Sequence, residues 1–199
     1  MKFLEPVFAH AFNHPTGVFG WMGGIFMARE NRETARRALQ LLEVQPQDKV
    51  LEIGFGPGVG IELLANSSPA HAVAGIDPSP EMCEQARVRN AANVRAGKVT
   101  LWRAPVEALP FSNATFDKAL AIRSLDLWPD TGAGLREIRR VIRSGGRIVI
   151  AVGRHSGQTP DGLAKLLTDV HFFDVLTLDA AGALYVCATK LAEDGQAAR

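Results

Sequence analysis

The chain has 199 residues, 47% of them hydrophobic and 22% charged, with a formal net charge of +1. That is an ordinary globular balance, long enough for one domain with a full core, and it excludes a basic surface built for nucleic acid and an acidic tail. The two cysteines, Cys83 and Cys187, have neither disulfide-framework nor CxxC spacing, which suits a reducing cytoplasm, and no metal-ligating pattern is present. At the start of the chain a single Lys2, followed by Glu5 and His10 within the apolar run, argues against a signal peptide. A loop-like FNHPTG (12–17) leads into an apolar stretch at 18–28, whose 11 residues are too few to cross a bilayer as a helix. Residues 31–43 then place Ala35, Ala38, Leu39 and Leu42 on one face of a predicted helix. A first strand is expected at 49–54, a helix from 61, a second strand at 72–77 and a helix over 79–92 opened by Ser-Pro-Glu. Strands at 99–103 and 117–122 follow, then a helix over 134–146 that stops at a glycine pair. A fifth strand at 146–152, a helix at 161–170 and two strands at 172–178 and 183–190, close enough for a hairpin, complete the pattern. The last residues look like a frayed tail.

Strands separated by helices predict an α/β, Rossmann-like doubly wound sheet of seven strands, mostly parallel with a C-terminal antiparallel hairpin. In such sheets a ligand sits at the carboxyl ends of the strands, near the point where the strand order reverses. The stretch VLEIGFGPGVG (50–60) falls there, with four glycines at alternate positions between the first strand and the next helix. A phosphate loop needs Gly-Lys-Ser/Thr, and no lysine follows Gly60. A dinucleotide fingerprint needs a third glycine where Val59 stands, which weakens that alternative. Two acids add to the pattern. Glu52 lies inside the first strand, an unusual place for a carboxylate without a cationic partner, and Asp77 ends the second strand, where an acid can accept from both hydroxyls of a ribose.

With VLEIGFGPG, GIDPSPEMCEQA (75–86), ALPFSNATFDKALAIRSLDLWPD (108–130) and LREIRRVIRSGGRIVIA (135–151) in this order, the chain resembles the class I S-adenosylmethionine-dependent methyltransferases, and more specifically the ubiquinone/menaquinone-type small-molecule enzymes. The resemblance implies S-adenosylmethionine as cofactor and S-adenosylhomocysteine as product. It implies that Gly54, Gly56 and Gly58 admit the methionyl part, with Glu52 near its ammonium or ordering the loop. Asp77 is implied as the holder of the ribose hydroxyls, flanked by Pro78, Ser79 and Met82. Relatives commonly carry an acid for the adenine amino group where this chain has Pro105, so that contact falls to backbone groups around Val106 or to Glu107. The segment Ala121-Ile122-Arg123-Ser124, after the fourth strand, is expected to face the methionyl part and the substrate. Relatives often place a histidine pair before Trp-Pro-Asp, where Asp126 and Leu127 stand here.

A sulfonium methyl is already activated, so positioning and desolvation govern its in-line transfer to O, N or C. An acceptor that must lose a proton needs a base, for which Asp126 is the first candidate, with His155 and His14 behind it. Arg123 is an alternative anchor for an anionic substrate, and Phe55 or Trp128 could face the sulfonium through its ring. Arg139, Arg140 and Arg143 read as the solvated face of a helix. The expected division is a helical cap or lid at 1–45, the cofactor domain at 46–191 and a flexible tail at 192–199. For residues 18–28 a lid over an apolar substrate ranks before a dimer surface, and a dimer surface before a membrane contact. The expected function is methylation of a small apolar or aromatic molecule in the cytoplasm, without nucleic acid. A non-catalytic cofactor-binding regulatory or assembly protein is the alternative, and a nicotinamide oxidoreductase is a weaker one.

Overall fold

The computed structural model describes residues 32–154, 156–180 and 182–191. His14, His155, the stretch 18–28 and the tail 192–199 lie outside the described residues. The strands are β1 (Lys49–Ile53), β2 (Ala72–Asp77), β3 (Val99–Arg103), β4 (Phe116–Ile122), β5 (Ile142–Gly153), β6 (Phe173–Ala180) and β7 (Ala183–Thr189), in the sheet order β3-β2-β1-β4-β5-β7-β6. β1 to β5 run parallel, while β7 pairs antiparallel with both β5 and β6. The helices are α1, helical over the described residues 32–42, then α2 (Val59–Ser67), α3 (Pro80–Arg89), α4 (Ala91–Arg95), α5 (Thr131–Val141) and α6 (Pro160–Asp169).

Both faces of the sheet are covered, which is why its central strands are apolar along their whole length. One core joins Ala38 and Leu42 of α1, Ile61 and Leu64 of α2 and Ala86 of α3 to Val50, Leu120 and Tyr185. The other joins Leu135 and Ile138 of α5 and Leu163 and Leu167 of α6 to Leu51, Ile53 and Ile148. Side chains alternate across a strand, so Leu51 and Ile53 enter the second core while Val50 and Glu52 point toward α1 and α2. The strand order reverses between β1 and β4, and the carboxyl ends of those two strands open there. No helix among the described residues is long and apolar enough to cross a membrane.

Three expectations need correction. The helix predicted to reach the glycine pair ends at Val141, and Ile142 already pairs with Phe116 as the start of β5. Gly146 sits inside that strand, where a Cβ would run into Ile142 and the Asp117 carbonyl. The helix predicted over 79–92 is broken at Asn90 into α3 and α4. Two of the arginines read as a solvated helix face, Arg140 of α5 and Arg143 at the start of β5, do more than face water. Arg140 donates to the carbonyls of Leu109 and Phe111, to Asn113 and to both carboxylate oxygens of Glu137, whose other contact is the Leu109 amide. Arg143 pairs with the buried Asp117, which also accepts from the Lys49 amide.

The Arg140 cluster ties the loop after β3 to α5, and a fixed guanidinium fork satisfying backbone carbonyls contributes more than an isolated surface ion pair. Hydrogen bonds from Arg140 hold the Glu137 carboxyl below its ordinary range. Arg140→Ala should therefore cost about 1–3 kcal/mol of unfolding free energy, measured by urea denaturation at neutral pH. A loss within error of zero contradicts the clamp.

Candidate active site

The loop between β1 and α2 is built by residues that avoid the right-handed helical region. Gly54, Gly56 and Gly58 have φ of +66°, +53° and +81°, which strains any residue with a Cβ. The amides of Gly54 and Phe55 donate to the Ile76 carbonyl, so the loop curls over the end of β2. Asp77 closes the arrangement: its Oδ2 accepts from the Gly56 amide at 2.8 Å and its Oδ1 from the Ser79 amide at 2.9 Å. Ser79 also caps α3 through the Met82 amide. The Phe55 side chain lies over Gly75, where a Cβ would stand 2.6 Å from its ring.

Behind the loop stands Glu52, 2% exposed and in register with Gly75 on β2 and Leu120 on β4. Room for its carboxyl exists because residue 60 is a glycine; a Cβ there would occupy the position of Glu52 Oε1. Among the described residues, Glu52 Oε2 has no hydrogen-bond partner. Burial, and next the charge of Asp77, push the Glu52 carboxyl up to about 8. Burial raises Asp77 too, against the two amide hydrogen bonds that pull it down.

These groups line a cavity of about 410 Å³ at the carboxyl ends of β1, β2 and β4. The sequence-predicted Glu52, Gly54, Phe55, Gly56, Asp77, Pro78, Met82, Pro105, Val106, Glu107, Ile122 and Arg123 all border it, as do Ser79 and Trp128. Arg123 has a left-handed backbone, φ +50°, fixed by its amide bond to the Ala151 carbonyl. Glu107 is engaged elsewhere as well, accepting from the Asp130 amide. Gly58 is not part of the lining: a Cβ there would meet Ala86 and Asn90 at 2.8 Å, so its smallness serves packing against α3.

Asp126 also departs from its expected role. The 3-10 turn Leu125–Leu127 turns Leu125 inward and Asp126 outward, and the carboxylate accepts from Gln158 outside the cavity. Ser124, the last residue of the segment expected to face the methionyl part, borders the cavity as well. Its hydroxyl donates to the Ile53 carbonyl at 2.9 Å, and a Cβ on Gly54 would collide with it. Leu127 and Pro129 give the cavity mouth an apolar rim. Among the described residues, no group of three or more His, Cys, Asp or Glu side chains could hold a metal ion.

A methyltransferase-domain family model matches residues 51–150. The chain belongs to the class I S-adenosylmethionine-dependent methyltransferases. It is 30% identical over 149 residues to "Putative methyltransferase YrhH" of Bacillus subtilis, covering 75% of this chain and 82% of that one. It is 34% identical over 124 residues to the ubiquinone/menaquinone biosynthesis C-methyltransferase UbiE of Geotalea daltonii, covering 60% of this chain and 52% of that one. The chain thus spans about half the length of that relative. In fold it is similar to a SAM-dependent methyltransferase from Aquifex aeolicus, with a TM-score of 0.72 at 16% identity over 83% of this chain and 93% of that one. The family match is to methyltransferases and removes the support for a nicotinamide oxidoreductase.

The buried carboxyl of Glu52 gives the ligand-free protein a pH signature. Its pKa in the fold lies above its ordinary value of 4.5, so its stabilising contribution is complete below that value and is lost as pH rises through about 8. Glu52→Gln, neutral throughout, should melt progressively higher relative to the wild-type protein as the buffer is taken from about pH 6 to about pH 9. Thermal unfolding of both proteins across that range checks this; a pH-independent difference contradicts it.

Proposed function

We propose that the protein transfers a methyl group from S-adenosylmethionine to a small apolar or aromatic acceptor in this cavity. The observation that carries the reading is the pairing of Asp77 with the glycine loop beside a buried carboxyl whose Oε2 lacks a partner among the described residues. Asp77 retains lone pairs beyond its two amide contacts, which suits the two hydroxyls of a ribose. Glu52 offers an acceptor to the ammonium of the methionyl part, and gains there the partner that its burial demands. The walls at Pro78, Met82, Pro105, Val106 and Ile122 are mainly apolar and suit a purine. When bound, S-adenosylmethionine supplies a methyl group activated on a sulfonium.

The protein's own part is to hold, orient and dry. Among the described residues, the cavity lining carries the acidic side chains of Asp77, Glu81 and Glu107, beside the neutral carboxyl of Glu52, against the single guanidinium of Arg123, a balance that favours a cationic ligand. Arg123 borders the same cavity as Leu127, Trp128 and Pro129, where a guanidinium can orient an anionic group of the acceptor. The apolar rim is what supports an apolar or aromatic acceptor. Buried, unpaired Cys83 and Cys187 fit a cytoplasmic setting.

Calorimetric titration with S-adenosylhomocysteine should give micromolar-range binding, and Asp77→Ala should weaken it by about 1–3 kcal/mol, roughly fivefold to 150-fold. NADH should not bind. Tight NADH binding without S-adenosylhomocysteine binding contradicts the proposal, and cofactor binding with no turnover across a broad acceptor screen favours a regulatory role.

A further inference from the structure

The loop that borders the cavity is held from behind by the far end of α3. Arg89 Nε donates to the Pro57 carbonyl at 2.9 Å, and Asn90 Nδ2 donates to the Gly58 carbonyl at 3.0 Å. These side chains lie 32 residues further along the chain than the carbonyls they hold. Asn90 is 1% exposed and anchors itself through its amide and Nδ2 to the Ala86 carbonyl, so it has little freedom to follow a moving loop. Arg89 is oriented by Glu62 of α2, 3.6 Å away. Neither Arg89 nor Asn90 lines the cavity.

The same helix begins at the site, where Ser79 and Met82 border the cavity. Its ten residues span about 15 Å. One rigid rod therefore touches the cavity at its N-terminal end and pins two successive loop carbonyls at the other. Fixing the carbonyls of Pro57 and Gly58 fixes the peptide planes of the loop, and with them its approach to the methionyl part of the ligand.

We propose that Arg89 and Asn90 are positioning residues that preorganise the loop for the methionyl portion of the cofactor, an inference that rests on the cofactor reading above. They act on the loop alone, whereas Asp77 both holds the Gly56 amide and faces the ribose in the cofactor reading. Loss of either should therefore weaken ligands that reach the loop more than ligands that stop at the nucleoside.

The test compares S-adenosylhomocysteine with adenosine, by calorimetry and competition, on the full chain. Arg89→Gln and Asn90→Ala are each expected to lower S-adenosylhomocysteine affinity about five- to tenfold, the equivalent of one lost hydrogen bond, and adenosine affinity less than about twofold. Val88→Ala, on the same helix at a position 69% exposed, should change neither. Should Asn90→Ala fail to fold, Arg89→Gln, at the surface, carries the test. Parallel losses for the two ligands, or S-adenosylhomocysteine affinity within about twofold of wild type, overturn the proposal. Wild-type protein that binds neither ligand overturns the cofactor reading itself, a failure visible before any variant is made.

Discussion

Two carboxyl groups share one dry corner at the carboxyl ends of β1 and β2, and the architecture of the site follows from how each is accommodated. Removing an ionised carboxylate from water is unfavourable unless donors replace the lost hydration. Asp77 receives such donors from the Gly56 and Ser79 amides. Those two bonds bind the glycine loop and the start of α3 to the end of β2, so the loop cannot relax without leaving a buried acid unsatisfied. Among the described residues, Glu52 receives no such compensation at Oε2, and its carboxyl is held neutral far above the usual acidic range by burial and by the charge of Asp77. One acid thus organises the loop, and the other is left poised for a donor that the described residues do not supply. Groups perturbed by desolvation together with a specific charged neighbour, in a cavity, are the ordinary mark of a binding site.

The lattice of strands and helices was legible because parallel neighbours impose a periodic alternation that leaves apolar runs between polar helix faces. Where that reading erred, the errors have physical sources. Ile142 fits the helical spacing of Leu135, Ile138 and Val141 as well as it fits a buried strand, so the end of α5 could not be found from periodicity. Arg140 and Arg143 looked solvated because charge type announces solvation, whereas their partners at Leu109, Phe111 and Asp117 lie 26 or more residues away. Asn90 breaks a continuous helical pattern because its side chain is committed to carbonyls of the loop and of α3.

In the site, the glycine motif was visible as a unit, but its members have separate duties. Gly54 and Gly56 border the cavity, Gly58 lets α3 approach, and Gly60 vacates the volume that Glu52 fills. Spacing announces that side chains are unwelcome; it does not say what takes their place. Asp126 shows the same limit from the other side. Its position after β4 suggested a base, but a single 3-10 turn sends Leu125 into the core and Leu127 to the cavity rim, and leaves Asp126 facing outward.

The walls of the cavity come from elements with different reasons to hold still. β1, β2 and β4 are fixed by the sheet and by two apolar cores. The wall at Pro105, Val106 and Glu107 belongs to a connection with no ladder of its own, and depends on α5 through Arg140, Glu137 and the Glu107 contact with the Asp130 amide. That amide precedes α5, whose first turn Asp130 itself caps through the Ala133 amide. The wall and the start of α5 are therefore braced against each other by side chains. Polar side chains holding backbone groups supply local order where neither core nor ladder reaches, and they do so at modest energy per bond. A site assembled this way keeps its strand ends rigid and leaves the wall at Pro105, Val106 and Glu107 dependent on a few replaceable contacts, so ligand preference can change there without disturbing the sheet.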